Sequence, residues 1–155
     1  MKINSVFIVD DDSITIFGLR KLLAKFSSEL LVNEFRNGRQ ALDAILALLQ
    51  KKQMLPEVIF LDINMPVMDG WGFLDEFLKL PNTGGVHIKI ITSSIDIRDR
   101  EKWQSYVKKT GHHIDFITKP IYELNLQDVT RNMNLASWDY TLLYKVIILS
   151  IFLQI

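Results

Sequence analysis

Val6-Phe7-Ile8-Val9-Asp10-Asp11-Asp12 sets four apolar residues directly against three carboxylates. A short continuous apolar run reads as a strand buried on both faces, and the charge after it marks where that strand leaves the core. Two further segments repeat the arrangement. Val58-Ile59-Phe60-Leu61 runs into Asp62-Ile63-Asn64-Met65-Pro66, and Phe116-Ile117 leads to Lys119-Pro120. Charge at several strand ends is charge at the rim of a sheet, where open α/β sheets bind ligands. Carboxylates at two strand ends with an ammonium at a third make a site for a hard cation and an anionic group together. That combination points to phosphoryl chemistry.

The segments between these strands read as helices. Ser13 is placed to cap a first helix whose inner face is Ile16, Leu19, Leu23 and Phe26. Leu30 to Phe35 reads as a second strand, closed by the turn signal Asn37-Gly38. Leu42, Ile45, Leu46 and Leu49 give a second helix, and Pro56 ends that connection before the strand at Val58 to Leu61. Asp69-Gly70 is a turn, and Trp71, Leu74 and Leu78 mark a third helix. A fourth strand spans Ile88 to Ile91 and a fourth helix Asp96 to Lys109, stopped by Gly111. The fifth strand is Asp115 to Ile117, and Tyr122 to Met133 is a fifth helix. The alternation is (βα)5. Right-handed crossovers then make a doubly wound, five-stranded parallel sheet, flavodoxin-like in its order 2-1-3-4-5.

Composition closes several alternatives. A chain of 155 residues with 48% hydrophobic content is one domain with a real core. Eighteen basic and eighteen acidic residues cancel, so no basic field is available for a nucleic-acid backbone. With no cysteine there are no disulfides, no thiol catalysis and no thiolate-bound metal. The N-terminal apolar run meets aspartates too early for a signal peptide, so a cytoplasmic protein is expected.

In the order 2-1-3-4-5 the first and third strands flank the switch point, so Asp10, Asp11 and Asp62 should converge there. Carboxylates packed together need a cation or a proton, and oxygen-only ligands with room for water suit Mg2+. Lys119 enters from the fifth strand and can pair with a phosphoryl oxygen. Thr92, ending the fourth strand, offers a hydroxyl to another.

Four motifs in this order and spacing carry a resemblance: Val9-Asp10-Asp11-Asp12, Leu61-Asp62-Ile63-Asn64-Met65-Pro66-Val67-Met68-Asp69-Gly70, Ile91-Thr92-Ser93-Ser94 and Phe116-Ile117-Thr118-Lys119-Pro120. The chain resembles a receiver domain of the two-component response-regulator family from residue 3 to about 134. The resemblance implies that Asp62 is the phosphoacceptor and that Asp10 and Asp11 position Mg2+. It further implies that the Asn64 backbone carbonyl is a metal ligand, that Thr92 and Lys119 contact the phosphoryl group, and that the Lys119-Pro120 bond is cis. A sensor histidine kinase or a histidine phosphotransfer protein would be the donor. Thr92 would move toward the new phosphate and Phe116 would rotate into the space it leaves. That rearranges a face made by the fourth helix, fifth strand and fifth helix, where a downstream protein binds. Phe116 stands where a tyrosine is often found, so its inward state gains packing without a hydroxyl.

Plainer readings hold for several residues. Asp12 reads as a helix-start residue in preference to a third ligand. His112-His113 reads as a wet loop, His87 has no companion, Glu57 is ordinary loop variation, and Trp71 and Trp103 read as packing anchors. A haloacid-dehalogenase-type phosphohydrolase would need a second aspartate two residues after its nucleophile, and here Asn64 stands there. A pseudo-receiver is opposed by the intact acidic set. Residues 1–134 are therefore expected to form the receiver and 135–155 an apolar tail, with no separate output domain. Tyr140 to Ile155 would span about 24 Å as a helix, which falls short of a ~30 Å hydrocarbon core. Lys145 lies inside it. The expectation is docking against the receiver or a second copy, not a bilayer span.

Overall fold

The computed structural model describes residues 4–27, 29–121, 123 and 124. In it the apolar runs become the strands β1 (Ser5–Val9), β2 (Leu31–Phe35), β3 (Val58–Asp62), β4 (His87–Thr92) and β5 (Ile114–Thr118). All neighbours pair in parallel, in the order β2-β1-β3-β4-β5. The helices are α1 (Ser13–Leu23), α2 (Gly38–Gln50), α3 (Gly70–Phe77) and α4 (Ile97–Lys109). The doubly wound α/β class and its strand order are as the pattern implies. The fifth helix expected over 122–133 and the tail 135–155 lie outside the described residues.

Burial explains why β3 and β4 read as unbroken apolar runs: every residue of both is buried. The period of two along a strand then splits the core. Phe7, Val9, Ile59, Leu61, Ile88 and Ile90 face α2 and α3, with Phe73 and Phe77 fully enclosed among them. Val6, Ile8, Val58 and Phe60 face the other way, against Ile16, Leu19 and Leu23 of α1. Burying each large side chain contributes roughly 1.5–3 kcal/mol. The edge strands β2 and β5 are only partly covered.

Helix starts are where sequence and structure part. Asp12, not Ser13, caps α1: its Oδ1 accepts the Ile14 N–H at 3.0 Å and its Oδ2 the Thr15 N–H at 3.3 Å. A carboxylate has two acceptor oxygens and favours the positive helix end, so it displaces the hydroxyl beside it. Asn37 and Asp69, read as turn residues, are also caps, accepting the N–H groups of Gln40 at 3.0 Å and Gly72 at 2.6 Å. Gly70 follows for a steric reason. A Cβ there would lie 2.4 Å from the Asp62 carbonyl oxygen and 2.8 Å from Ile63 Cα. Only a glycine lets α3 start against the end of β3.

Other surface readings also change. Glu57 accepts the backbone N–H of Ser5 at 2.8 Å and of Asn4 at 3.2 Å, bracing the start of β1. His87 is buried and its Nε2 lies 2.9 Å from Asp115 Oδ2, so it has a companion after all. His112 is half-buried, with Nε2 3.1 Å from Thr83 Oγ1 and its ring edge-on to Phe77, so it is no wet loop residue. Burial lowers its imidazole below the usual range.

Candidate functional site

β1 lies between β2 and β3, so the connections leaving β1 and β3 part to opposite sides and open a crevice at their carboxyl ends. Val9 pairs with Leu61, which brings Asp10, just past β1, beside Asp62 at the last position of β3. Carboxylate oxygens of Asp10, Asp11 and Asp62 all lie within 4.8 Å of one another. Asp10 and Asp62 are buried, and Asp11 stands exposed at the mouth.

Each carboxylate is held from its own loop. Asp10 donates its N–H to the Phe35 carbonyl at 3.0 Å, and its Oδ1 accepts the Asp12 N–H at 2.8 Å. Asp62 Oδ2 accepts the Asn64 N–H at 3.0 Å. Lys119 closes the group: its Nζ donates to Asp10 Oδ2 at 2.7 Å and lies 3.1 Å from Asp62 Oδ1. The Lys119 backbone N–H bonds the Thr92 carbonyl at 2.8 Å, and the Lys119-Pro120 peptide is cis.

Burial pushes the Asp10 and Asp62 carboxyls above the ordinary aspartate range. Lys119 pulls both back, and the Asp10 charge adds to the rise at Asp62. Burial alone would lower the Lys119 ammonium, but its bonds to Asp10 and Asp62 raise it. Three carboxylates thus face one ammonium, with negative charge to spare. The donor set is entirely oxygen, and the crevice above it has a volume of about 630 Å³. A hard dication with several waters fits such a site, and soft metals do not. With such a cation bound the surplus negative charge would be balanced, and Lys119 could then pair with an anion beside Asp62.

The expected residues do not all meet. Asp10, Asp11, Asp62 and Lys119 come together, and Asn64 lines the crevice with them. Asp12 is committed to its cap, in keeping with the helix-start reading. Thr92 is fully buried at the end of β4, and its Oγ1 accepts the Ser94 N–H at 2.9 Å, while Ser93 lines the crevice. Phe116 is half-buried, 5.7 Å from the Trp103 ring and 5.5 Å from the Arg100 guanidinium. Trp71 is buried as an anchor, and Trp103 is half-buried, its Nε1–H donating to the Ile114 carbonyl at 2.8 Å. Sequence reasoning quoted Ser94 in a motif without a role and passed over Asp99; the two hold the turn after Thr92. Their signal is only a serine and an aspartate beside a helix start, a pattern shared by most helices.

The profile of the response regulator receiver domain matches residues 6–131. The protein-glutamate methylesterase/protein-glutamine glutaminase of Archaeoglobus fulgidus is 31% identical over 137 residues, covering 85% of this chain and 36% of that protein. The chain thus spans about a third of the length of the methylesterase relatives it matches. Among solved structures, the two component response regulator from Cytophaga hutchinsonii is similar with a TM-score of 0.66 at 25% identity, over 78% of this chain and 89% of that one. The phosphorylated cyanobacterial phytochrome response regulator RcpA gives a TM-score of 0.63 at 25% identity, over 78% and 84% of the two chains.

Proposed function

The chain belongs to the response regulator receiver domain family, and on that premise we propose that Asp62 is its phosphoacceptor. It is the receiver of a two-component system, a family of phosphorylation-dependent switches served by histidine kinases or phosphotransfer proteins. The observation that carries the residue assignment is the reach of Lys119 Nζ, 2.7 Å from Asp10 and 3.1 Å from Asp62 at the bottom of an acidic crevice. A phosphohistidine on the donor presents its phosphorus to an Asp62 carboxylate oxygen. The O–P bond forms as the N–P bond breaks, and the imidazole leaves with the electron pair. Lys119 offsets charge on the transferring oxygens, so catalysis is positioning plus electrostatics. Asp10, Asp11, Asp62 and the Asn64 carbonyl would hold Mg2+, which when bound supplies further neutralisation of phosphoryl charge.

The switch is a shift between two conformers of one fold. Thr92 turns its hydroxyl toward the acquired phosphate, and the half-buried Phe116 moves inward. The face of α4, β5 and the chain beyond it then presents a changed surface to a downstream protein. Hydrolysis resets it: water attacks phosphorus, phosphate leaves, and the Asp62 carboxylate returns. The chain in this reading is a phosphoacceptor that assists its own phosphorylation and dephosphorylation. No helix among the described residues is long and apolar enough to cross a membrane. We place the protein in the cytoplasm, where such kinases present their phosphohistidines.

Labelling with a small phosphodonor and Mg2+, read by intact mass, tests the assignment. Wild type should gain one phosphoryl group and Asp62→Asn none, because an amide is a poor nucleophile. Full labelling of Asp62→Asn, or of wild type in excess chelator, would overturn it.

A further inference from the structure

A chain of contacts runs from Thr92, at the end of β4, to the start of α3. The Ser94 N–H donates to Thr92 Oγ1 at 2.9 Å, and Ser94 Oγ donates to Asp99 Oδ2. Asp99 Oδ1 accepts the Trp71 Nε1–H at 3.2 Å. The Trp71 indole lies 5.6 Å from the Tyr106 ring at an interplanar angle of 4°, and the Tyr106 hydroxyl donates to Asp75. Trp71 directly follows Gly70, which is packed on the Asp62 carbonyl. The ends of β3 and β4 are therefore linked twice: directly by their ladder, where Asp62 pairs with Ile91, and through Ser94, Asp99 and Trp71.

We propose that Ser94 and Asp99 form a hydrogen-bonded relay that reports the position of the Thr92 hydroxyl to the seam between α3 and α4. The two rings Trp71 and Tyr106 read it out. The argument starts at Thr92. A β-branched side chain occupies discrete χ1 wells, so its oxygen either meets the Ser94 N–H or points elsewhere. When it turns away, a backbone donor must find a new partner, and the turn between residues 93 and 96 shifts. Ser94 Oγ also accepts the Asp96 N–H at 3.2 Å, so that shift reaches the start of α4. Asp99 sits in the first turn of α4 and is gripped from both sides, by Ser94 and by Trp71. It cannot follow one without releasing the other. Asp99 is thus a positioning residue, acting through Ser94 and not on the phosphoryl group.

A purely local role for Asp99, an acidic residue favoured in the first turn of α4, predicts none of this coupling. The trigger rests on the phosphoacceptor reading, whereas the relay itself does not. The test separates them. In the full chain labelled with 15N, the Trp71 indole N–H peak is identified by its loss in Trp71→Phe. Thr92→Val keeps the side-chain shape and loses the acceptor oxygen, so it should displace that peak with no ligand present. Thr92→Ser keeps the oxygen and should restore the wild-type position. Mg2+ with beryllium fluoride should displace the peak in wild type. In Ser94→Ala both displacements should fall by at least half, while amide shifts at residues 10–12 and 62–64 on adding the mimic persist. A double-mutant comparison of Thr92→Val with Ser94→Ala isolates the coupling. A stationary Trp71 peak in Thr92→Val, or an equal displacement with and without the Ser94 hydroxyl, overturns the relay. Amides around Asp62 that ignore the mimic would overturn the phosphoacceptor reading instead, and the Thr92→Val arm would still decide the relay.

Discussion

At the carboxyl rim three carboxylates converge on one ammonium, whereas on the flank of β4 and β5 one carboxylate is held by two basic side chains. Asp115 Oδ2 lies 2.7 Å from Lys89 Nζ and 2.9 Å from His87 Nε2, and both basic residues are only 2% exposed. The bond to His87, with help from Lys89, holds the Asp115 carboxyl well below the usual range. At the rim the direction is opposite, because burial lifts Asp10 and Asp62. The flank carboxylate is partly exposed, whereas Asp10 and Asp62 are buried. Folding favours the ionised carboxylate on the flank and opposes it at the rim. Charge that folding opposes, kept at the one place where the sheet opens, is charge waiting for a ligand.

Metal should produce the largest divergence between the two. Mg2+ at a hundred times its dissociation constant should add about 2.7 kcal/mol to wild-type stability. The gain should appear as a Tm higher by roughly 2–4 °C per kcal/mol. Asp115→Asn should gain as much and Asp10→Asn little. An unmoved wild-type Tm would erase the distinction.

Removing the flank carboxylate comes next. Asp115→Ala should lower stability by about 1–2 kcal/mol, a charged hydrogen-bond loss discounted for the partial exposure of Asp115. Urea melts would show the loss, and phosphorylation at Asp62 should continue. Removing a rim carboxylate should do the reverse. In chelator, Asp10→Asn should raise stability by on the order of 1 kcal/mol, since Lys119 keeps Asp62 and a buried like charge is gone. A loss of similar size would show that Lys119 already balances the rim.

The smallest effect is in pH. Asp10 and Asp62 have folded values raised above the unfolded one, so the folded state binds extra protons and their contribution is lost as pH climbs through the folded values. Asp115 has a lowered value, so its contribution is present above the unfolded value and is lost as pH falls through the folded one. The advantage of Asp10→Asn over wild type in chelator should therefore be larger at about pH 7 than at about pH 4, near the ordinary aspartate value. The deficit of Asp115→Asn should be nearly the same at the two pH values, because the folded value of Asp115 lies well below both. Chemical denaturation at the two pH values reads both, and an Asp10→Asn advantage that shrinks toward neutrality would break the contrast.

The rim was legible because its residues interrupt apolar runs. Asp10 and Asp62 stand where β1 and β3 end, and the alternating pattern brings those strands together. Strand limits were less legible where polar residues extend the ladder. β4 runs from His87 to Thr92, one residue beyond its apolar run at each end, and β5 likewise reaches Ile114 and Thr118. Neighbouring strands set that extent, not the residues themselves. The flank group was invisible for a related reason: His87 and Asp115 are 28 residues apart and meet only through the β4–β5 register. The pairing of Ser94 with Asp99 escaped notice because a serine and an aspartate at a helix start ordinarily serve the helix alone.

The ion pair between Lys119 and Asp10 joins residues 109 positions apart. Its consequence is felt during synthesis. A ribosome that has reached Phe116 has already made both strand ends that carry Asp10 and Asp62, yet the ammonium that balances them is still untranslated. Closing so long a loop waits for the last strand to dock. A growing chain can therefore bury most of its core while Asp10 and Asp62 still lack their ammonium. The proposed phosphoacceptor site stays incomplete until β5 and the residue after it have been made.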